Sequence, residues 1–598
     1  MTGIREIGVP VRSVNRAMLY PGRDADGNER VIATMSQQAA GFFLLIIDPR
    51  TGAFRQVDCP NEKANYTTAA YMSRGGNLYI GAAHTGELYR WDPDRDELVG
   101  YGAIGPEGTI FPCRIDEDSA GQIWISSYAT ADLTCFDPVA ESFTRYGRMD
   151  DTDMYAYCFV NRDDTIAVYI KQTKPHVVVL DPETGEKRTV GPVVHRDSGS
   201  LELYRGVDGL LYIDSTEGRF RVDGFDATPV AELPPPEPPR RSFADGTSFQ
   251  YLDAKEHEHR TLEVRPPGEE PRVFRLDYDA AGTDIFCLHE GPDGRLYGSS
   301  VLPERFFRYD PGTREMIDFG VCSQATGEAY SMANLDGLIY IASYPGARVS
   351  VYDPESPYDF GAEAGSNPRD LGRIDDVSYR PRSTIAGPGG KVWFASVPDY
   401  GLWGGPLGCY DPATAEFRSF KEICGEASCY TLASVGDDKP ILVGTTIQGG
   451  SGTKPKAERA TLFLFDHHDE RIVWEGEPSG HKATAFISLL PVSDRTVEGV
   501  FRTGDGEYLF SFDVPTRRFA AIATAPPGGV RDNGLARSDD RLLALTRTGI
   551  YEVALTDLAA TERASLDDTG SDHVVCGPII AGQLYLSVGH RLFAHPIE

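Results

Sequence analysis

Short runs of alternating apolar and polar residues recur along the chain, and glycine, aspartate or proline bounds each run. Alternation with a period of two predicts half-buried β-strands. The runs come in sets. GGNLYIGAAHTGELYRWDPDRDEL from Gly75 is echoed by GQIWISSYATADLTCFDPVAESF from Gly121. It returns as GRLYGSSVLPERFFRYDPGTREM from Gly294, GLIYIASYPGARVSVYDPES from Gly337 and the longer GKVWFASVPDYGLWGGPLGCYDPATAEF from Gly390. Each set predicts four short strands. A glycine follows the first strand, where a tight hairpin needs positive φ. An Asp-Pro or related pair closes the third, where proline breaks no ladder.

The closing aspartate sets the period. It stands at Asp48, Asp92, Asp137 and Asp181, with spacings of 44, 45 and 44, then at Asp310, Asp353, Asp411, Asp466 and Asp513. A period in the forties with four strands per unit is the mark of β-propeller blades. Including degenerate units near 199–232, 243–277, 531–564 and 571–598, the chain holds about 13 four-stranded blades. One ring usually takes about 4–8 blades, so the expectation is an all-β protein of two propellers, seven blades plus six. The contiguous division is 1–320 for the first and 321–598 for the second. The last unit stops after a third strand, and an N-terminal strand, Ile4–Val11, would complete it. In that case one ring holds both ends of the chain and the other is nested inside it. Two segments break the rhythm. PPPEPPRR at 234–241 reads as a stiff extended connector, and Pro354–Arg382 reads as a long inter-blade insertion of the kind that often carries function.

The 598 residues are 41% hydrophobic and 10% aromatic, enough to fill such cores. Acidic residues outnumber basic ones 89 to 58, a net charge of −31, which argues against nucleic-acid or anionic-membrane partners. No apolar run is long enough for a transmembrane helix and the N-terminal segment lacks a signal-peptide core, so the expected location is cytoplasmic. Ten scattered cysteines without a C-x-x-C pair read as reduced, mostly buried thiols. The oligomeric state is not legible.

Against so acidic a background, clusters of cations on one propeller face become informative. Ligands usually meet propellers where the first strand of each blade begins and where its second and third strands are joined. One such cluster holds His84, Tyr128, Arg114, Tyr155 and Tyr157, followed by Lys171, Gln172, Lys174 and His176. A second holds Tyr330, Tyr344, Arg380, Arg382, Asp399, Tyr400 and Gln448. A cationic mouth would focus an anionic ligand. EHEHR at 256–260 and DHHDE at 466–470 are weaker candidates for metal ligands; on a strand, His257 and His259 would share a face. G-x-S-x-G, H-E-x-x-H, G-x-x-x-x-G-K and the dinucleotide fingerprint are all missing from the sequence.

The G-x-(I/L/V)-(W/Y)-(I/F) strand followed by a Y-D-P closure resembles the streptogramin-lyase-like propeller superfamily, and is similar in build to propeller polysaccharide lyases. The resemblance covers most of the chain as a repeat and implies a β-elimination of a uronate-containing oligo- or polysaccharide. It implies His84 as the base, Tyr128 or Tyr157 as the proton donor, and Arg114 or a divalent cation, calcium or manganese, to neutralise the uronate carboxylate. Tyr155, Lys171, Lys174, Tyr330, Tyr344, Arg380, Arg382 and Tyr400 would contact substrate. No metal ligands are identifiable. The alternative of a different class is a non-catalytic binding or scaffold propeller. A glycoside hydrolase ranks third, because no acidic pair occupies two matching face positions.

Overall fold

In a computed structural model, residues 3–14, 16–538, 541–566 and 573–597 are described. The chain divides into two compact units, residues 13–281 and residues 1–12 together with 282–598. Both are β-propellers built of antiparallel meander sheets. Among the described residues the only helices are two short 3₁₀ turns, Ala254–Glu256 and Pro388–Gly390, and no helix is long and apolar enough to cross a membrane.

The blades follow the repeat. The unit of 282–598 has seven, spanning 285–320, 328–373, 378–420, 428–476, 485–524, 530–565 and 574–596. The fourth and fifth are joined into one continuous sheet by a single bridge between Thr446 and Ala485. The seventh has three strands of its own and takes Arg5–Gly8 as its fourth, paired along Arg591–Pro596. The innermost strands of successive blades lie side by side, and Ile285–Glu290 meets Val574–Ile580 to complete the ring. The unit of 13–281 has six, spanning 16–58, 66–103, 111–148, 155–190, 201–229 and a three-stranded blade at 248–275.

The count of thirteen matches the repeat, but the contiguous division at 320/321 is not where the chain divides. The blade 285–320 packs on the last blade through Ile285, Leu296, Phe307 and Tyr309 against Ile580, Tyr585 and Leu592. The first blade of the other unit packs instead on 248–275, with Val31, Phe43 and Leu45 against Phe249, Leu262 and Leu276. The seven-bladed ring therefore holds both ends of the chain, and the six-bladed ring is nested between Arg12 and Gly282.

Within a blade, burial follows position. Second and third strands such as Leu78–Ala83 and Phe43–Ile47 are buried on both faces, and outer strands such as Ser142–Arg148 are largely exposed. Trp91, Trp124 and Trp393 are fully buried between blades, each worth roughly 1.5–3 kcal/mol or more of apolar burial. Trp124 donates its indole N–H to Asp118 at 2.9 Å and Trp393 to the Pro388 carbonyl at 2.9 Å. Gly121 and Gly294 take φ of 84° and 73° in the first hairpin, as that turn requires. The repeating aspartate accepts a backbone N–H two residues on, at 2.8 Å for Arg50 on Asp48, Val139 on Asp137 and Gly312 on Asp310. It is an Asx turn joining the third strand to the fourth.

The two irregular segments are structural. The Pro-rich stretch is more than a connector. Val207 donates to the Pro235 carbonyl at 3.0 Å and Glu237 to the Arg205 carbonyl at 2.8 Å, so the stretch first lies along the end of Leu201–Arg205. Residues 238–243 then stand where the sixth blade would have its innermost strand, tied by Phe249 N–H on the Arg241 carbonyl and a bridge from Ser242 to Ser248. Pro238 and Pro239 have no N–H, so no regular ladder forms there. In the insertion, the Asn367 side chain donates to the carbonyls of Asp353, Ser356 and Pro357, and Tyr358 stacks 4.8 Å from Phe319. That loop is packed in place. All ten cysteines are free.

Candidate functional site

The mouth of the seven-bladed unit is built from bulges. Innermost strands here carry an extra residue near their start, which re-aims a side chain. The register shifts between Ile285 and Cys287, Ala329 and Ser331, Pro381 and Ser383, and Cys429 and Thr431. The extra residues are Phe286, Tyr330, Arg382 and Tyr430, from four consecutive blades. They touch in sequence: Phe286 meets Tyr330 edge-on at 4.8 Å, and the Arg382 guanidinium lies 4.6 Å from the Tyr330 ring and 5.4 Å from that of Tyr430. The Tyr430 hydroxyl donates to Asp532 at 2.5 Å, and Asp532 pairs with Arg502 at 3.0 Å.

A second bulge in Ser378–Ala386 sets Tyr379 apart. Beside it, Arg380 lies 4.8, 5.5 and 5.3 Å from the rings of Tyr344, Tyr379 and Tyr400, and donates to the Tyr400 hydroxyl at 3.5 Å. Two arginines of one YRPR segment are thus held among five tyrosines, each contact a cation–π interaction worth about 0.5–2 kcal/mol. Burial opposes the charge on Arg382, but Tyr430, Tyr330, Asp532 and Glu328 outweigh it and hold the group above its ordinary value. Arg380, Arg382, Tyr430, Gln448 and Arg502 line a cavity of about 400 Å³ with the backbone of Gly449–Ser451. Arg502 also borders a neighbouring cavity of about 490 Å³ with Arg531 and Arg547.

Behind this surface lie two buried carboxylates. Glu304 is 1% exposed and bonded by Ser323, Ser343 and the Cys322 thiol; burial pushes it up to about 7. Burial, then the charge of Glu304, push Glu328 up to about 7 as well, against the opposing pull of the Tyr330 hydroxyl, Arg380 and Arg382.

The second cluster read from the sequence is therefore assembled: Tyr330 with Arg382, Tyr344 and Tyr400 with Arg380, and Gln448 on the same cavity. Tyr379, Tyr430, Arg502, Asp532, Glu304 and Glu328 escaped sequence reasoning. The signal for Tyr430 was its equivalence to Tyr330, two residues into the innermost strand.

The first cluster is assembled only in part. His84 bonds Asn65 through Nδ1 at 2.7 Å and meets Phe111 edge-on at 5.6 Å. Phe111 stacks on Tyr128 at 5.1 Å, and Tyr128 on Tyr155 at 4.1 Å. Arg114 is not in that row. Its Nε donates to the Cys158 carbonyl at 2.9 Å and its guanidinium lies 3.9 Å from the Phe159 ring. It lines a different cavity, which none of His84, Tyr128, Tyr155 or Tyr157 borders. Tyr157 packs beside Tyr169 at 6.1 Å, and burial drives its hydroxyl well above the ordinary range. Lys171 and Lys174 are exposed at and just beyond the end of Ile166–Lys171. His176 is buried, with Nδ1 2.6 Å from the Lys174 carbonyl.

The metal candidates do not fit a cation. His257 and His259 have φ of 56° and 53°, so they lie in a loop and not along one strand face. Burial and the neighbouring His257 lower His259 to about 4. Nε2 of His467 is 3.0 Å from the Asp437 carbonyl. Among the described residues no group of three or more His, Cys, Asp or Glu side chains could hold a metal ion.

Fold and site together define an all-β protein of two propellers, one with an arginine–tyrosine mouth. No protein-family model matches the chain, and no curated protein matches it. Similar solved structures include the extracellular domain of BT4673 from B. thetaiotaomicron, at 10% identity over 100% of this chain and 82% of that one, with a TM-score of 0.37. PorZ, a surface component of the type-IX secretion system of Porphyromonas gingivalis, is 12% identical over 99% of this chain and 87% of its own, with a TM-score of 0.41. The Cps50 (Swd1) β-propeller domain of Myceliophteria thermophila is 12% identical over 54% of this chain and 99% of its own, with a TM-score of 0.40. The propeller assignment rests on this chain's own strand order.

Proposed function

We propose that the seven-bladed unit binds a carboxylate-bearing carbohydrate at its mouth. The observation that carries this reading is the YRPR segment, whose two arginines sit among five tyrosines beside a cavity of about 400 Å³. Guanidinium groups pair with carboxylates through two parallel hydrogen bonds. Tyrosine rings offer flat apolar faces to the C–H faces of sugars, and a cavity of this size suits a small ligand. Calorimetric titration with uronate-containing oligosaccharides tests the reading. Saturable binding that is lost in Arg380→Ala/Arg382→Ala supports it, and binding unchanged in that variant defeats it.

One observation favours a second reading, elimination at the same mouth. Glu328 titrates at about 7 while bonded by Tyr330 and beside both arginines. Arg380 and Arg382 would neutralise the uronate carboxylate and so acidify the adjacent carbon-bound proton. The Tyr330 hydroxyl would take that proton as it passes its own to the buried Glu328 behind it, and a second tyrosine hydroxyl would protonate the departing sugar oxygen. The resemblance to streptogramin-lyase-like propellers supports elimination as the reaction class, although the residues it implies, His84, Tyr128 or Tyr157 and Arg114, belong to the six-bladed unit. Ultraviolet absorbance of an unsaturated uronate product, formed by the parent protein and not by Glu328→Gln, tests it. No rise with any glycan that binds would leave the mouth a binding site alone.

A further inference from the structure

The six-bladed unit holds its own cavity, of about 650 Å³, among its innermost strands. Seven arginines and four carboxylates line it in a protein of net charge −31. Some of those charges are already used. Arg205 pairs with Asp116 at 2.7 Å, and Arg74 lies 3.4 Å from Glu117. Arg16 donates to the Thr68 carbonyl at 3.1 Å and Arg162 to the Asp208 carbonyl at 3.0 Å. Arg114 donates through Nε to the Cys158 carbonyl and lies over the Phe159 ring, with no carboxylate paired to it among the described residues. Arg240 and Arg241 have no ion pair among the described residues, yet they are close enough to the channel to influence the Tyr71 and Tyr20 hydroxyls.

These last two come from the Pro-rich stretch that replaces the sixth blade's innermost strand. A laddered strand alternates its side chains between two faces. The stretch at 238–241 is stiffened by proline and lacks regular pairing, so its backbone, with little entropy of its own left to lose, brings two successive arginines to one cavity. Met18, Met72, Pro238 and Pro239 form an apolar part of its wall. The volume lies within the usual range of roughly 300–1,000 Å³ for small-ligand sites. Several arginines without acidic partners suit phosphate, whose oxygens accept forked guanidinium donors, and the wall suits an organic body.

We propose that this cavity is a binding site for a small organic phosphate carrying two or more phosphate groups, of the nucleoside diphosphate class. It is independent of the mouth of the seven-bladed unit. The test is calorimetric titration of the full chain with ADP and with pyrophosphate. ADP is expected to bind tighter than pyrophosphate, and Arg240→Ala/Arg241→Ala, both exposed positions, should weaken ADP by about tenfold or more. Arg380→Ala/Arg382→Ala should leave ADP binding unchanged. The proposal is overturned if ADP does not bind, if pyrophosphate binds as tightly as ADP, or if the Arg240/Arg241 variant binds ADP like the parent. ADP binding abolished by the mouth variant would overturn it too, by moving the phosphate to the other ring.

Discussion

The two aromatic rows, His84–Phe111–Tyr128–Tyr155 in the six-bladed unit and Phe286–Tyr330–Arg382–Tyr430 in the seven-bladed one, are made differently. The second consists wholly of bulge residues of innermost strands, whereas the first takes Phe111 and Tyr155 from the starts of innermost strands, Tyr128 from the end of a second strand and His84 from the loop after one. In the second row an arginine is itself the bulge residue and stands between two tyrosines. In the first, the shift falls between Pro112 and Arg114, the extra residue is Cys113, and Arg114 goes back into the ladder opposite Ser126. The row loses its cation to the channel. One residue of register decides whether a propeller face presents an arginine or packs a phenylalanine, because side chains on a strand alternate sides.

The largest test of this contrast removes the arginines. Arg380→Ala/Arg382→Ala should weaken an anionic oligosaccharide at least about 100-fold, since each charge-assisted pair is worth roughly 1.5–3 kcal/mol. Arg114→Ala should leave that titration unchanged. A smaller effect concerns pH. Glu328 and Glu304 both titrate at about 7, and Arg380, Arg382 and Tyr330 surround Glu328. Affinity for a carboxylate ligand should therefore fall as pH rises through about 7, when negative charge appears beside the arginines, and Glu328→Gln should flatten the dependence. Because both values are raised above the ordinary glutamate range, their contribution to stability is complete below that range. It is lost as pH rises through about 7. Chemical denaturation of the parent and of Glu304→Gln, compared at pH 5 and pH 8, would expose that slope. The smallest effect belongs to the first row. Tyr128→Ala should cost about 1–3 kcal/mol through two lost stacking contacts and their burial, measured by thermal unfolding, and should not alter the oligosaccharide titration. His84→Ala should also leave that titration unchanged.

Thirteen blades were legible because the Asx-turn aspartate and the first-hairpin glycine are local requirements, repeated with the blade. The ring closure was legible in part, since the missing fourth strand of the last unit pointed to an N-terminal strand and a nested ring; the boundary near 281 was not, because it depends on contacts that span the chain, such as Leu592 and Ile580 on Ile285. The sixth blade's innermost strand was illegible because its prolines remove the alternation and the N–H groups that mark a strand. At the mouth, Tyr330, Tyr344, Arg380, Arg382 and Tyr400 could be found by position. Asp532 could not. It lies in Val530–Ser538, where the pairing jumps from Val530 to Leu535, and an acid stands where other units have Tyr330, Arg382 or Tyr430. Nothing in the sequence marks Glu304 and Glu328, and only burial sets them apart.

The pairing of Arg5–Gly8 with Arg591–Pro596 also has a bearing on how the molecule comes off the ribosome. At about 5–20 residues per second, the first strand waits on the order of half a minute to two minutes for its partner to be synthesised. The nested ring has all its blades by residue 281 and can close long before. Where the chain leaves and re-enters the outer ring, Thr283 donates to the Val11 carbonyl at 2.9 Å, so the two ends of the excursion are already side by side. The inner ring can thus be read as a cassette inserted into a single loop. A gene that joins codon 12 to codon 282 through a few glycines should encode a seven-bladed protein that still carries the arginine–tyrosine mouth.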